Sequence, residues 1–158
     1  MATTMLIRSG DTFDPRVVAL LDHHVGAARA QTAPGSAHAL DLPGLRAPGI
    51  AFWTGWDDDD LVATGALKML SPDHGEVKSM HVLQTARRRG YGGQMLRHII
   101  TEARQRGMTR LSLETGSWDY FKPAQALYRA HGFVDCPPFE GYAEDPNSLF
   151  LTLNLIGG

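Results

Sequence analysis

The stretch Arg87-Arg88-Arg89-Gly90-Tyr91-Gly92-Gly93 constrains this chain more than any other. An extended apolar run ends shortly before it at Met80-His81-Val82, and an amphipathic run opens after it near Gln94. A strand that turns through glycines into a helix presents the first helical N–H groups with no helical carbonyl to bond. The helix dipole adds partial positive charge at that end, and three arginines add more. Glycine lets the backbone come close to whatever occupies the turn. The physical expectation is a cradle for a phosphate or pyrophosphate.

The flanking pattern places this turn inside a mixed α/β fold. Met5 to Arg8 reads as a short strand. Asp14-Pro15 starts a helix, with a cap followed by proline at the first helical position, and Val17, Val18, Leu21, Val25 and Ala28 fall on one face of it. Thr32 to Pro48, rich in Pro, Gly and Ala, reads as a loop. Ile50 to Trp56 and Leu61 to Leu70 are β-rich runs joined by the Asp57-Asp58-Asp59-Asp60 hairpin. A turn at Ser71 to Gly75 leads into a strand from Glu76 to Val82. Met95, Leu96, Ile99, Ile100 and Ala103 share one side of a helix that stops at Gly107. Arg110 to Thr115 alternates as a strand, Pro123 opens a helix running to about His131, and Gly132 closes it. Phe133 begins a further strand, Pro137 to Pro146 is a loop, and Leu149 to Leu155 is a last strand. Strands come first as a meander and then alternate with helices, which predicts a mixed, twisted sheet flanked by helices on both faces.

With 158 residues, 43% of them apolar, the chain fits a single domain spanning residues 1–158 with a proper core. Fifteen Lys and Arg against seventeen Asp and Glu give a net charge of 15 − 17 = −2, which argues against a general nucleic-acid binder. The lone cysteine, Cys136, forms no internal disulfide and suits a reducing cytoplasm. Met1-Ala2-Thr3-Thr4-Met5 lacks a basic region followed by an apolar stretch, so no signal peptide is expected. No run approaches the roughly 18 apolar residues of a membrane span.

Three readings of the glycine turn compete. A dinucleotide fingerprint needs G-x-G-x-x-G, but Met95 stands at the sixth position and the turn comes late in the chain. A Walker loop needs Gly-Lys followed by Ser or Thr, which is absent. The plainest alternative is a turn whose arginines point into solvent. The turn has company, however. Arg87-x-x-Gly90-x-Gly92 after a strand end at Met80-His81-Val82 resembles the coenzyme A signature of the GNAT N-acetyltransferase family. Downstream, Leu127-Tyr128-x-x-x-Gly132-Phe133 resembles that family's second motif. The resemblance covers the whole chain in element order and is tightest from about Glu76 to Phe133. Glu76 to His81, Leu113-Glu114-Thr115-Gly116-Ser117 and Glu144 to Ser148 are similar to a YsnE-type bacterial branch of the family.

The resemblance implies acetyl-CoA as acyl donor; the paired motifs lead to the expectation of an N-acetyltransferase acting on a small amine, and no residue spacing calls for a metal. The resemblance places the donor's diphosphate on the amides of Arg88 to Gly93, with Arg87, Arg88 and Arg89 around it. It places the pantetheine arm along the backbone of Met80, His81 and Val82 like an added strand. It further implies that the Glu76 and Arg110 strands splay apart to admit that arm. Exposed edge strands leave room for a homodimer.

Acetyl transfer to an amine needs a neutral nitrogen, a stabilised carbonyl oxygen and a proton or hydrogen-bond donor for the leaving thiolate. Tyr128, at the Leu-Tyr position of the second motif, is the candidate for the last role, against the alternative of a core tyrosine. Glu76, four residues before Met80, is the candidate base; the alternative is an exposed strand-start glutamate paired with Lys78. The carbonyl oxygen would face a backbone N–H near Met80 or Val82. His81 is a spare base, although strand alternation turns it away from Glu76 and Met80 unless a bulge intervenes. Many relatives carry an asparagine seven residues before the tyrosine; this chain has Phe121 there, which makes that corner of the pocket more apolar.

Other features carry less. Asp57 to Asp60 reads as a solvated hairpin before a metal site, and the adjacent His23 and His24 do not share a helical face as paired ligands would. No zinc spacing is present. Cys136 lacks the context of a nucleophile and reads as a small filler. Trp53, Trp56, Trp118 and Tyr120 are candidate pocket walls with core packing as the alternative. Glu114 stands where it would meet a cationic acceptor or an arginine. Two rival functions stay open: a domain that senses acyl-CoA without turnover, and acetylation of a protein N-terminus or lysine.

Overall fold

A computed structural model describes residues 4–33, 35 and 40–156. Parts of the predicted 32–48 loop, at residues 34 and 36–39, and the first three residues of the N-terminal stretch lie outside the described residues. Strand β1 (Leu6–Ser9) is followed by helix α1 (Pro15–Ala30) and the short helix α2 (Leu42–Leu45). Then come β2 (Ile50–Asp57), β3 (Asp60–Ser71), β4 (His74–Val82) and α3 (Tyr91–Gln105). The chain ends with β5 (Arg110–Gly116), α4 (Lys122–Ala130), β6 (Val134–Asp135) and β7 (Ser148–Asn154).

Local signals set the helix ends. The Asp14 carboxylate accepts from the Arg16 N–H at 2.9 Å and Pro15 fills the first helical position, so α1 starts where cap and proline dictate. Helix α2 falls inside the predicted loop. Asp41 caps it, accepting from the Gly44 N–H at 3.0 Å, and Leu45 is buried beneath it. Four residues are too few to show helical periodicity, which is why the loop composition hid it.

Among the described residues, seven strands form one sheet in the order β1-β2-β3-β4-β5-β7-β6. All pairs are antiparallel except β4 with β5. Helix α3 and the side chains of Tyr128 and Phe133 share a core with Trp53, Leu67, Val77 and Leu113 on one face of the sheet. Helix α1 packs Val17, Leu20 and Leu21 against Phe52, Trp56 and Ala66 on the other.

Two irregularities of β4 shape everything that follows. Its parallel pairing with β5 lasts only for His74↔Arg110, Gly75↔Leu111 and Glu76↔Ser112, after which the strands part. The expected splay is therefore present, and it opens a slot through the sheet. On its other edge, β4 is bulged. Its register with β3 steps from Ala66↔Lys78 to Thr64↔His81, and Ser79 takes a left-handed φ of 54°. Two residues thus oppose one, and every side chain beyond the bulge changes face.

Candidate active site

The cradle is built as the glycines require. Gly90 caps α3 in a left-handed conformation (φ 83°) that an L-residue adopts only at a cost, and Arg88 is also left-handed (φ 67°). The N–H groups of Gly92 and Gly93, in the first helical turn, have no helical carbonyl to bond. A Cβ on Gly92 would sit 3.2 Å from Leu127 Cδ2 and 3.4 Å from Val82 Cγ2, so the glycine keeps this approach narrow but open. The Tyr91 ring is buried, and its hydroxyl donates to Asp57 Oδ2 at 2.6 Å. The start of α3 is thereby tied to the β2–β3 hairpin. Asp57, a member of the aspartate run, thus has a structural task in this corner.

A cavity of about 610 Å³ runs from this cradle through the slot. Met80, His81, Val82, Arg87, Arg88, Gly90, Tyr91, Gly92 and Gly93 all line it; Arg89 is exposed and does not. Its volume is within the range of small-molecule sites. Arginines, helical amides and a glycine opening together suit an elongated diphosphate ligand. Tyr128 lines the same cavity from α4. Its ring is buried against Phe133, centroids 5.8 Å apart, and its hydroxyl makes no hydrogen bond to a described residue. Burial first, and the nearby Glu114 charge second, push its pKa well above the usual phenol value, so it stays protonated at neutral pH.

Across the slot, on the α1 face, lies a buried polar network. Glu76 is 2% exposed and does not line the cavity. Its Oε2 accepts from the Tyr142 hydroxyl at 2.7 Å and lies 3.4 Å from Lys78 Nζ, which itself donates to the Tyr142 hydroxyl at 2.9 Å. Lys78 does line the cavity. Burial, then the Glu76 charge, raise the Tyr142 pKa far above its ordinary value. Tyr142 reaches this spot from the loop before β7, its ring packed on Phe139 and Phe150.

The bulge at Ser79 changes where His81 points. Plain alternation would have turned it from Glu76; with the extra residue it pairs with Thr64 and shares the face of Lys78 and Glu76. Met80 and Val82 instead pack toward the α3 core. His81 Nδ1 lies 3.1 Å from His24 Nδ1, and its buried Nε2 has no partner among the described residues. Burial pushes His81 down to about 3 and His24 down to about 4. Both imidazoles are neutral at pH 7, and at those values they are weak proton acceptors. Glu114, from β5, lines the cavity opposite this cluster, and its charge is felt at both Tyr128 and Tyr142.

The sequence profile of the Acetyltransferase (GNAT) family matches residues 18–133. The chain is 47% identical over 151 residues to the uncharacterized N-acetyltransferase YsnE of Bacillus subtilis, covering 96% of this chain and 100% of that one. It is 44% identical over 149 residues to the uncharacterized N-acetyltransferase YedL of Escherichia coli, covering 94% of each. This chain belongs to the GNAT acetyltransferase family. Its fold agrees: a GNAT family acetyltransferase from Elizabethkingia anophelis, solved with acetyl-CoA bound, superposes with a TM-score of 0.69 at 18% identity, over 95% of this chain and 97% of that one. The protein is therefore an acyltransferase, as its paired motifs imply.

The remaining features of this GNAT protein settle into supporting places. Phe121 lines the cavity, stacked edge-on against Tyr120 at 5.0 Å, and its ring occupies the space above Gly116 where a Cβ would otherwise stand. The corner that carries asparagine in many relatives is accordingly apolar. Trp53 and Trp56 are core residues, whereas Tyr120 is a partly exposed wall of the cavity. Burial raises the Cys136 thiol pKa, which makes it a poorer nucleophile, and it stands outside the cavity wall. Among the described residues no group of three His, Cys, Asp or Glu side chains is arranged to hold a metal, and no helix is long and apolar enough to cross a membrane. Sequence reasoning did not find Tyr142 or the Asp57 contact with Tyr91. Lys78 had been visible only as a partner for Glu76, and His24 only as one of an adjacent pair.

Proposed function

We propose that this GNAT protein transfers the acetyl group of acetyl-CoA directly to the primary amine of a small molecule, with donor and acceptor bound together. One observation carries the reading: a single cavity joins the glycine and arginine cradle on the α3 face to the polar chamber on the α1 face through the gap between β4 and β5. Donor and acceptor enter from opposite faces and meet in the slot.

The chain's own residues then divide the work. Arg87, Arg88 and the amides around Gly92 hold the diphosphate, with Arg89 contributing charge from outside the wall. Backbone from Met80 to Val82 orients the arm. As the nitrogen–carbon bond forms and the carbon–sulfur bond breaks, Tyr128 donates a hydrogen bond to the departing sulfur. A phenol held protonated so firmly serves better as a hydrogen-bond donor than as a source of a free proton. The proton lost by the amine goes to Glu76 through a relay, because its carboxylate stands behind Lys78 and Tyr142.

The test is purified protein, acetyl-CoA and a panel of amines and peptides, followed by thiol release and product mass. Acetylated small amines with stoichiometric thiol are expected. Acetyl-CoA binding without turnover would identify a sensor, and turnover confined to peptides would move the acceptor to proteins. An acetyl group trapped on Cys136 would refute direct transfer.

A further inference from the structure

Strand β4 puts its acid and its amine in different settings. Glu76 and Lys78 stand two residues apart, before the bulge, so their side chains share a face. Glu76 belongs to the last residue pair that joins β4 to β5, Glu76↔Ser112. Lys78 comes two residues later, where the strands have parted. That step decides which group an acceptor can meet: Lys78 lines the cavity, and Glu76 does not.

Tyr142 connects the two. Its hydroxyl accepts from Lys78 Nζ at 2.9 Å and donates to Glu76 Oε2 at 2.7 Å. Both donors point the same way, from nitrogen through phenol to carboxylate. Lys78 Nζ lies 3.4 Å from the same Glu76 oxygen, beyond the usual length of an N–H···O bond, so the path through the phenol is the better one for a proton. The Tyr142 ring packs on Phe139 and Phe150, with centroids 5.2 and 5.5 Å away, which holds the hydroxyl between its partners. Burial, then the Glu76 charge, keep that phenol protonated. A proton therefore enters it only as another leaves.

We propose that Lys78 is the catalytic group that takes the proton from the acceptor nitrogen, and that Tyr142 is the link through which Lys78 is made ready to do so. This rests on the transfer reaction proposed above and names the residue at the reacting end of its relay. A proton moves from Lys78 Nζ to the Tyr142 oxygen as the phenol's own proton moves to Glu76 Oε2. Lys78 is left a neutral amine with a lone pair, Tyr142 a neutral phenol and Glu76 a neutral acid. The neutral acceptor nitrogen attacks the thioester carbonyl carbon and the carbon–sulfur bond breaks. The proton shed by that nitrogen passes to Lys78 Nζ and restores the ammonium. Glu76 then gives its proton to water and the departed thiolate takes one up, which balances the cycle. A lysine can do this because its ammonium can be deprotonated, whereas a guanidinium in a protein cannot.

The test is single-turnover thiol release after rapid mixing, with phenethylamine, putrescine and a lysyl peptide as acceptor probes and the fastest of them used throughout. Lys78→Arg keeps the positive charge but cannot shed a proton, so the rate should fall about 100-fold or more while acetyl-CoA affinity by calorimetry is unchanged. Tyr142→Phe keeps the ring and loses the link, and the rate should fall about 10- to 100-fold. In mixtures of light and heavy water, on the pH plateau, the parent's rate should follow a curve against deuterium content, as several protons moving together require. Tyr142→Phe should straighten that curve. A Lys78→Arg protein within about 10-fold of the parent, a Tyr142→Phe protein as fast as the parent, or a straight line for the parent overturns the inference and leaves the transfer reaction standing. Where a variant does not fold, the parent's curve decides alone. No thiol release with any probe overturns both.

Discussion

Removing one oxygen atom from Tyr128 separates chemistry from stability. In Tyr128→Phe the ring keeps its packing against Phe133 and its place in the α3-side core. The lost hydroxyl makes no hydrogen bond to a described residue, and it is not among the buried atoms cut off from solvent, so water reached from the cavity can serve it. Folding free energy should therefore change by less than about 1 kcal/mol, the net worth of an ordinary hydrogen bond, and the melting midpoint by no more than about 4 °C in a chain of this size. Under the proposed role of Tyr128, by contrast, the departing sulfur would lose its hydrogen-bond donor at the moment it takes on charge. Loss of one preorganised donor of that kind costs about 10²–10³ in kcat, or roughly 2.7–4 kcal/mol of barrier. The assay is continuous thiol release at saturating acetyl-CoA, set beside urea unfolding of the same preparation. A variant as active as the parent would show that Tyr128 is only a core residue. One that lost activity and several kcal/mol of stability together would show that its hydroxyl has a structural partner instead.

Two other perturbations address different parts of the site. Gly90→Ala places a side chain on a residue with φ 83°, a strain of about 1–2 kcal/mol that the turn can relieve only by distorting the cradle; the dissociation constant for acetyl-CoA, measured by calorimetry, should rise about 5- to 30-fold, and unchanged affinity would place the diphosphate elsewhere. The His24–His81 pair predicts acid sensitivity. An unfolded imidazole titrates near 6.5, whereas the folded ones are held at about 4 and about 3. Below about pH 6.5 the unfolded chain therefore binds protons that the folded chain refuses, and stability falls with pH at up to about 1.4 kcal/mol per unit for each imidazole. Above pH 7 both are neutral in either state and add no slope. Urea midpoints at pH 7 and pH 5 should differ more for the parent than for His81→Gln; equal differences would mean that His81 is freely protonated in the folded protein.

The glycine and arginine cradle was legible because its determinants are local. Gly90 must be glycine to turn left-handed, the apolar spacing from Met95 to Ala103 defines the helix behind it, and both lie within one short stretch. The polar chamber on the α1 face was not legible because its determinants are distant or silent. Tyr142 meets Glu76 across 66 residues, inside a segment whose composition reads only as loop. Asp57 meets Tyr91 across 34 residues, hidden in a run that looks like solvated charge. The bulge on β4 rests on Ser79, and a serine at φ 54° leaves no mark comparable to glycine's. That silent irregularity decides the direction of His81, so a faultless count of strand alternation still aimed it at the wrong face.

The short seam between β4 and β5 makes the sheet, mechanically, two plates: β1 to β4 on one side, and β5, β7 and β6 on the other, joined edge to edge by three residue pairs. That joint runs beside the slot and the cavity that passes through it. A substrate lying in it would brace the plates against each other, so stiffness and occupancy would rise together and the empty protein would be the more pliant of the two states.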